Sequence, residues 1–174
     1  MCKEAGNNEE SIHTGVHMRK KSPGRTLGLI ALMTLALAAC GDDILGPNPQ
    51  DVEFAASLGI DLADMTESET GLFYRDDDVG TGEPAESGDQ LTVNYTGWLS
   101  NGDEFDSGNG FVVSSLGSDL IAGFTEGLLG MRVGGTRTII MPSNLGYGSS
   151  GSGSDIPGGA VLVFELMVTA IVST

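Results

Sequence analysis

The chain has 174 residues, 24 Asp plus Glu against 8 Lys plus Arg, and 40% hydrophobic residues, enough for one ordinary domain with an extension. Five of the eight basic residues precede residue 26, leaving three arginines against 21 carboxylates in residues 41 to 174; that body, near −18, repels phosphate backbones and excludes nucleic-acid binding through a basic face. Both histidines (His13, His17), every lysine and Cys2 lie before residue 22, so residues 41 to 174 cannot build a Ser-His-Asp triad, a Cys-His pair, a lysine Schiff base or a Cys/His zinc site, and Cys2 with Cys40 offers no disulfide framework.

Residues 1–17 are polar and read as an N-terminal extension upstream of Met18, the preferred initiator. Residues 18–39 read as a signal peptide. Arg19-Lys20-Lys21 and Arg25 precede an apolar run from Leu27 to Ala39, about 13 residues where a bilayer core needs ~20 in a helix. Leu37-Ala38-Ala39-Cys40 resembles the lipobox of bacterial lipoproteins, which implies cleavage before Cys40 and a lipid on its thiol. Such an anchor holds the protein to the cell envelope, on the periplasmic face of the outer membrane where two membranes are present. Residues 40–69 carry Pro47, Pro49 and one short apolar patch from Phe54 to Leu62. They read as a flexible tether, with any order between Phe54 and Met65 depending on docking to the domain.

From residue 70 to 174 short β-type runs alternate with turn residues, and the pattern predicts strands over 71–77, 90–99, 104–107, 111–116, 136–141 and 160–172. Leu120, Ile121, Phe124, Leu128 and Met131 recur at helical spacing and predict one short helix. Its two internal glycines cost ~1 kcal/mol each, so it depends on packing against the sheet. The class is α+β, an antiparallel sheet wrapped on one helix. Residues 142–159 form a long loop rich in Gly and Ser, a feature that compact domains keep for function. Within it Gly146-Tyr-Gly148-Ser-Ser-Gly151 mimics a dinucleotide fingerprint but leads into no helix. Asp76-Asp77-Asp78 lacks the glycine and distal glutamate of a calcium loop and reads as the solvated end of a strand. No metal is expected.

Five motifs occur in order: Tyr95-Thr-Gly-Trp-Leu99; Asn101-Gly-Asp-Glu-Phe105-Asp106-Ser107; Ile121-Ala-Gly-Phe124 through Met131-Arg-Val-Gly-Gly135; Leu145-Gly-Tyr147-Gly148; and Ile156-Pro157 with Leu162-Val-Phe164-Glu165. Together they resemble the FKBP-type peptidyl-prolyl cis-trans isomerases over about residues 71 to 172. The resemblance implies an FKBP-like sheet of five to six antiparallel strands curled around one short helix, with a shallow apolar bowl that receives a proline ring. It assigns Tyr95, Phe105, Asp106, Tyr147 and Ile156 to catalysis. Tyr147 and the Ile156 backbone N–H would donate to substrate carbonyls, and Asp106 would accept from Tyr95. It assigns Leu120, Ile121, Phe124 and Phe164 to substrate binding, with Phe124 as the floor. Val112 is placed with this set, though the short stretch after Asp106 leaves the next wall open between Phe111 and Val112.

The implied activity is rotation about X-Pro bonds during folding of exported proteins, by a non-covalent mechanism that needs no cofactor. The alternative is a non-catalytic peptide-binding or holdase module. Implied partners are proline-containing unfolded or exported polypeptides, macrolide ligands, and the membrane through Cys40, with the protein acting as a monomer and no nucleic acid bound. Asp155 stands where the family is usually apolar, and Gly158-Gly159 is expected to loosen the loop.

Overall fold

A computed structural model of the chain describes residues 46–118 and 120–173. The extension at 1–17, the signal peptide at 18–39 and Cys40 lie outside the described residues. Six strands form one antiparallel sheet: β1 Thr66–Glu67, β2 Phe73–Asp78, β3 Gln90–Leu99, β4 Glu104–Val113, β5 Thr136–Met141 and β6 Leu162–Val172. Their spatial order is β1-β2-β5-β6-β3-β4, so β4 is an edge. The α-helix among the described residues is α1, Ala122–Leu128. No helix among them is long and apolar enough to cross a membrane.

The strands bury both faces of the sheet, because successive side chains point to opposite sides. Leu72, Ile139, Met141, Leu162, Phe164 and Leu166 join the core beneath α1. Their neighbours Phe73, Ile140 and Val163 form a second core on the outer face. Val52, Phe54, Leu58, Ile60, Leu62, Met65 and Trp98 cover that outer core. The covering segment is built from three short 3-10 turns, Pro49–Asp51, Ala56–Leu58 and Leu62–Asp64. The stretch read as a tether therefore lies against the sheet from Val52 to Met65. Its earlier part meets the base of the 142–159 loop, where a side-chain carbon on Gly46 would fall 2.7 Å from the Gly159 carbonyl.

α1 owes its seat to its glycines. A Cβ at Gly123 would lie 2.7 Å from the Met141 sulfur, and one at Gly127 would lie 2.7 Å from Ile139 Cδ1. The two residues that weaken the helix intrinsically are thus the ones that let its backbone settle onto β5. Arg137 closes the other end. It is buried, its Nη1 donates to the carbonyls of Gly127 at 2.9 Å and Leu129 at 3.1 Å, and its Nε donates to Asp76 at 2.6 Å. Carbonyls that a helix leaves unpaired at its C-terminus are so satisfied by a cation, favourable also for the helix dipole. The expected solvated acidic strand end is accordingly paired: Asp76 with Arg137, and Asp77 with Arg75 and Thr138. Burial pushes the Asp77 carboxyl up, but the hydrogen bonds from Thr138 and Arg75 and the Arg75 charge outweigh it, and the net position is below the usual carboxylate value.

β4 runs continuously where two strands were predicted, and two register shifts explain the misreading. Between Val93 and Tyr95 the partner position moves from Phe111 to Gly108, and between Gly97 and Trp98 it moves from Asp106 to Glu104. Each shift inserts an extra residue on β4, as a β-bulge does. The first is held by the Gly110 N–H donating to Asn94 Oδ1 at 2.8 Å, with Gly110 at φ 69°, a conformation that suits glycine.

Candidate functional site

Between α1 and the sheet lies an open hollow of about 350 Å³. β3 contributes Tyr95, β4 contributes Asp106 and Phe111, α1 and the residues before it contribute Leu120, Ile121 and Phe124, the long loop contributes Tyr147, and β6 contributes Phe164. The aromatic rings meet edge to face. Tyr95 and Phe124 are 5.6 Å apart between centroids, Phe124 and Phe164 5.4 Å, and Tyr95 and Phe111 5.7 Å. Such pairs hold each other's orientation beyond what area burial alone gives. Phe124 is 5% exposed and lines the hollow.

The polar wall is Tyr95 with Asp106. The Tyr95 hydroxyl donates to Asp106 Oδ2 at 2.8 Å. Burial first, then the hydrogen bond and negative charge of Asp106, then Tyr147, push the Tyr95 phenol up to about 12. Tyr95 therefore keeps its proton, and with it the donor role, throughout the neutral range. Two glycines make room for this arrangement. A Cβ at Gly108, which pairs with Tyr95 across β3 and β4, would lie 2.7 Å from Tyr95 Cε1. A Cβ at Gly97 would lie 2.7 Å from both Phe105 Cζ and Phe164 Cε1.

Three expected site residues are placed differently. Val112 is 51% exposed and outside the lining, which Phe111 supplies instead. In a regular strand Asp106 and Val112, an even number apart, share a face; the bulge at Asn109-Gly110 adds one residue and brings Phe111 round to join Asp106. Ile156 is 7% exposed and belongs to the main core rather than to the lining. Its backbone N–H already donates to the Ser152 carbonyl at 3.1 Å, so it is no free donor. Phe105 stands behind the lining, its ring 5.4 Å from that of Phe164, and acts as a backing for that wall. Tyr95, Asp106, Leu120, Ile121, Phe124, Tyr147 and Phe164 converge.

Two donors remain at the rim. The Tyr147 phenol makes no hydrogen bond among the described residues, and neither does the backbone N–H of Ile121, the residue immediately before α1. Sequence reasoning missed the Ile121 N–H. The signal was available, since the residue preceding a helix's first turn has an N–H that the helix does not use.

The loop is also tighter than its composition suggests. Gly159 N–H donates to the Gly148 carbonyl at 2.9 Å, and Ser152 and Ile156 form an antiparallel bridge. A Cβ at Gly151 would fall 2.1 Å from the Ile156 carbonyl oxygen, and one at Gly158 would fall 2.1 Å from that of Ser149. The glycines serve close backbone approach, and the expectation of a loosened loop is corrected. Among the described residues no group of His, Cys, Asp or Glu side chains is arranged to hold a metal ion.

A family model described as "FKBP-type peptidyl-prolyl cis-trans isomerase" matches residues 81–169. The chain is 43% identical over 100 residues to "FK506-binding protein" of Neisseria meningitidis serogroup B, covering 55% of this chain and 92% of that protein. It is 49% identical over 88 residues to "Peptidyl-prolyl cis-trans isomerase FKBP2" of Homo sapiens, covering 48% and 62% respectively. Among solved structures, FkpA from Escherichia coli aligns with a TM-score of 0.59 at 32% identity, over 67% of this chain and 55% of that one. AtFKBP13 aligns with a TM-score of 0.58 at 29% identity, over 62% and 98%.

Proposed function

Since this chain belongs to the FKBP-type peptidyl-prolyl cis-trans isomerases, we propose that its aromatic hollow is the site of X-Pro rotation, and that the protein performs it outside the cytoplasm on exported polypeptides while held to the envelope by a lipid on Cys40. The convergence of Tyr95, Phe124 and Phe164 around the Asp106-anchored hydroxyl carries the assignment of the site.

The reaction asks for what such a site offers. Resonance puts a barrier of ~18–20 kcal/mol on rotation about a peptide bond, and around X-Pro the cis and trans forms differ by only about 0.5–1 kcal/mol. An apolar hollow disfavours the charge-separated planar amide relative to the twisted form, in which the C–N bond has lost its double-bond character. Phe124 underlies the proline ring, with Tyr95, Phe111 and Phe164 around it. The Ile121 N–H and the Tyr147 phenol are placed to hold the flanking carbonyls, in the role first given to Ile156. Asp106 fixes Tyr95 and supplies the polar side of the wall. Catalysis then comes from differential binding by preorganised groups, with no bond made to the enzyme and no cofactor consumed. A macrolide whose ring imitates the twisted imide would compete for the same hollow. The folded-back loop supports turnover over a merely holding role, because Tyr147 is presented from a braced segment.

The test is a proline-limited refolding assay with residues 41 to 174. Acceleration by the wild type, lost on combining Phe124→Ala with Asp106→Ala, is the expected result; no acceleration by the wild type rejects the reading. The anchor is tested separately. Cells expressing the full chain should label it with radioactive palmitate, Cys40→Ser should abolish the label, and an unlabelled wild type found in the soluble fraction would refute envelope attachment through Cys40.

A further inference from the structure

The hollow is built for a neutral ring, yet the domain that holds it carries a large excess of one sign. Residues 41 to 174 hold three arginines against 21 carboxylates, and each arginine is committed elsewhere. Arg75 pairs with Asp77, Arg137 with Asp76 and the carbonyls at the end of α1, and Arg132 donates to the Gly82 carbonyl. None of the three lines the hollow. The single charged side chain that does is Asp106, which is exposed and uses only Oδ2 to accept from Tyr95. Its second oxygen, Oδ1, accepts nothing among the described residues.

We propose that the site selects proline segments carrying lysine or arginine beside the proline, drawn in by the field of the acidic domain and held at Asp106 Oδ1. This deepens the reading of the hollow as the isomerase site and rests on it. The field acts on encounter: a low-dielectric cleft lined by one sign concentrates ligands of the other and raises association rates by roughly 10- to 1,000-fold at low ionic strength. The contact acts once the proline is seated, because a cation meeting the exposed carboxylate at the rim forms a charge-assisted hydrogen bond, stronger than a neutral one. An acidic neighbour meets the same field and the same oxygen with the opposite sign. A client rich in Glu and Asp is therefore repelled before its proline reaches Phe124. The two effects differ in range, which makes them separable: the screening length is about 30 Å at 0.01 M salt and about 3 Å at 1 M.

The experiment measures kcat/KM by exchange NMR for three hexapeptides: Lys-Ala-Leu-Pro-Lys-Ala, its glutamate counterpart Glu-Ala-Leu-Pro-Glu-Ala and the neutral Gln-Ala-Leu-Pro-Gln-Ala. The lysine peptide is expected to exceed the glutamate peptide at least tenfold at 0.01 M salt and by less than about threefold at 1 M. Asp106→Asn should reduce the low-salt ratio at least threefold. Glu53→Gln, which removes one charge from the segment preceding the sheet, should change it by less than a third. A low-salt ratio below two overturns the proposal, and so does a ratio that Asp106→Asn moves no more than Glu53→Gln does. The ratio is indifferent to a general loss of activity in either variant. The neutral peptide reports on isomerisation itself: if it is not turned over, the isomerase reading fails, and chemical-shift titration of the lysine and glutamate peptides into the wild type then decides the charge preference by the same criterion.

Discussion

Adding a single methyl group at Gly108 should disable the enzyme without touching the substrate. Gly108 lies on β4 opposite Tyr95, and its φ is not in the left-handed region, so alanine suits the backbone. The new Cβ would sit 2.7 Å from Tyr95 Cε1 and 3.2 Å from Cζ, whereas non-bonded carbons rest at about 3.5–4.0 Å. The ring is rigid and must retreat by about 1 Å. The phenol now lies 2.8 Å from Asp106 Oδ2, and a retreat of that size carries it past ~3.5 Å, where a hydrogen bond is no longer made. A bond to a charged acceptor contributes about 1.5–3 kcal/mol; Asp106 is exposed, so the lower end applies. Spent on transition-state orientation, about 1.4 kcal/mol is a tenfold loss in kcat/KM. Peptide isomerisation followed by exchange NMR measures it, and ¹³C-labelled tyrosine supplies an independent reading. The Tyr95 titration should fall from about 12 part of the way toward 10, because the Asp106 contribution is lost while burial remains. Tyr95→Phe should cost a similar factor, and the double variant little more than the larger single, since both act through one hydroxyl. Gly108→Ala retaining kcat/KM within twofold, with the Tyr95 titration unmoved, would refute the reasoning.

Removing residues 46–65 should uncover Ile140, Val163 and Trp98; since Trp98 is the sole tryptophan of the chain, its emission should shift to longer wavelength, with a lower Tm and increased binding of an apolar dye. Arg137→Met should lower stability by about 2–4 kcal/mol in urea unfolding, because Asp76 and the carbonyls of Gly127 and Leu129 all lose their partner. Stability should also fall at both ends of the pH scale. Asp77, whose folded value is lowered, contributes fully above its unfolded value near 4 and loses that contribution as pH drops through the folded one, so Asp77→Asn should flatten the acid limb. Tyr95, whose folded value is raised to about 12, contributes fully below pH 10 and loses its contribution as pH rises toward 12, so Tyr95→Phe should flatten the alkaline limb. Gly127→Ala should destabilise more than Gly123→Ala, measured by thermal unfolding, because the first meets both branches of Ile139 and a Leu166 methyl, whereas the two nearest atoms at the second belong to the flexible thioether of Met141.

The strand positions and the helix were readable because their apolar residues repeat at the right periods: β3 and β5 match the predicted bounds, and β2, β6 and α1 differ from theirs only at the ends. β4 was misread because periodicity counts residues evenly, and a bulge does not. Asn109-Gly110 carried the only local clue, a glycine inside an apparent break. The consequence ran straight into the site, exchanging Phe111 for Val112. The outer core was written in the sequence but in a form easily passed over. Ile139-Ile140-Met141 and Val161-Leu162-Val163-Phe164 are continuous apolar runs, the pattern of strands buried on both faces, and a strand of that kind requires a cover. Among the described residues outside the sheet and helix, the segment from Val52 to Met65 provides it. Ile156 was misassigned for a different reason: whether a backbone N–H is free depends on the fold of its loop, which composition does not report.

The hollow's shape depends on residues that contribute nothing to it. Phe105 and Phe164 crowd the place where Gly97 would carry a side chain, and Tyr95 crowds that of Gly108. Tyr95, Phe105 and Phe164 are thus each matched across the sheet by an absent Cβ, and Phe164 then meets Phe105 and Phe124 edge to face. A mechanism that relies on environment alone needs this, since there is no reactive group whose pKa or nucleophilicity could compensate for a wall placed 1 Å away from its proper position. Stiffness also explains why an acidic surface is compatible with the chemistry. The arginines are taken up in closing the fold, at Asp76, Asp77 and the end of α1, and the remaining carboxylates have no cation to draw them across the hollow. Charge can then govern which polypeptide approaches while the rings govern what happens to its proline, and Asp106, which anchors Tyr95 through one oxygen and offers the other, is the residue the two functions share.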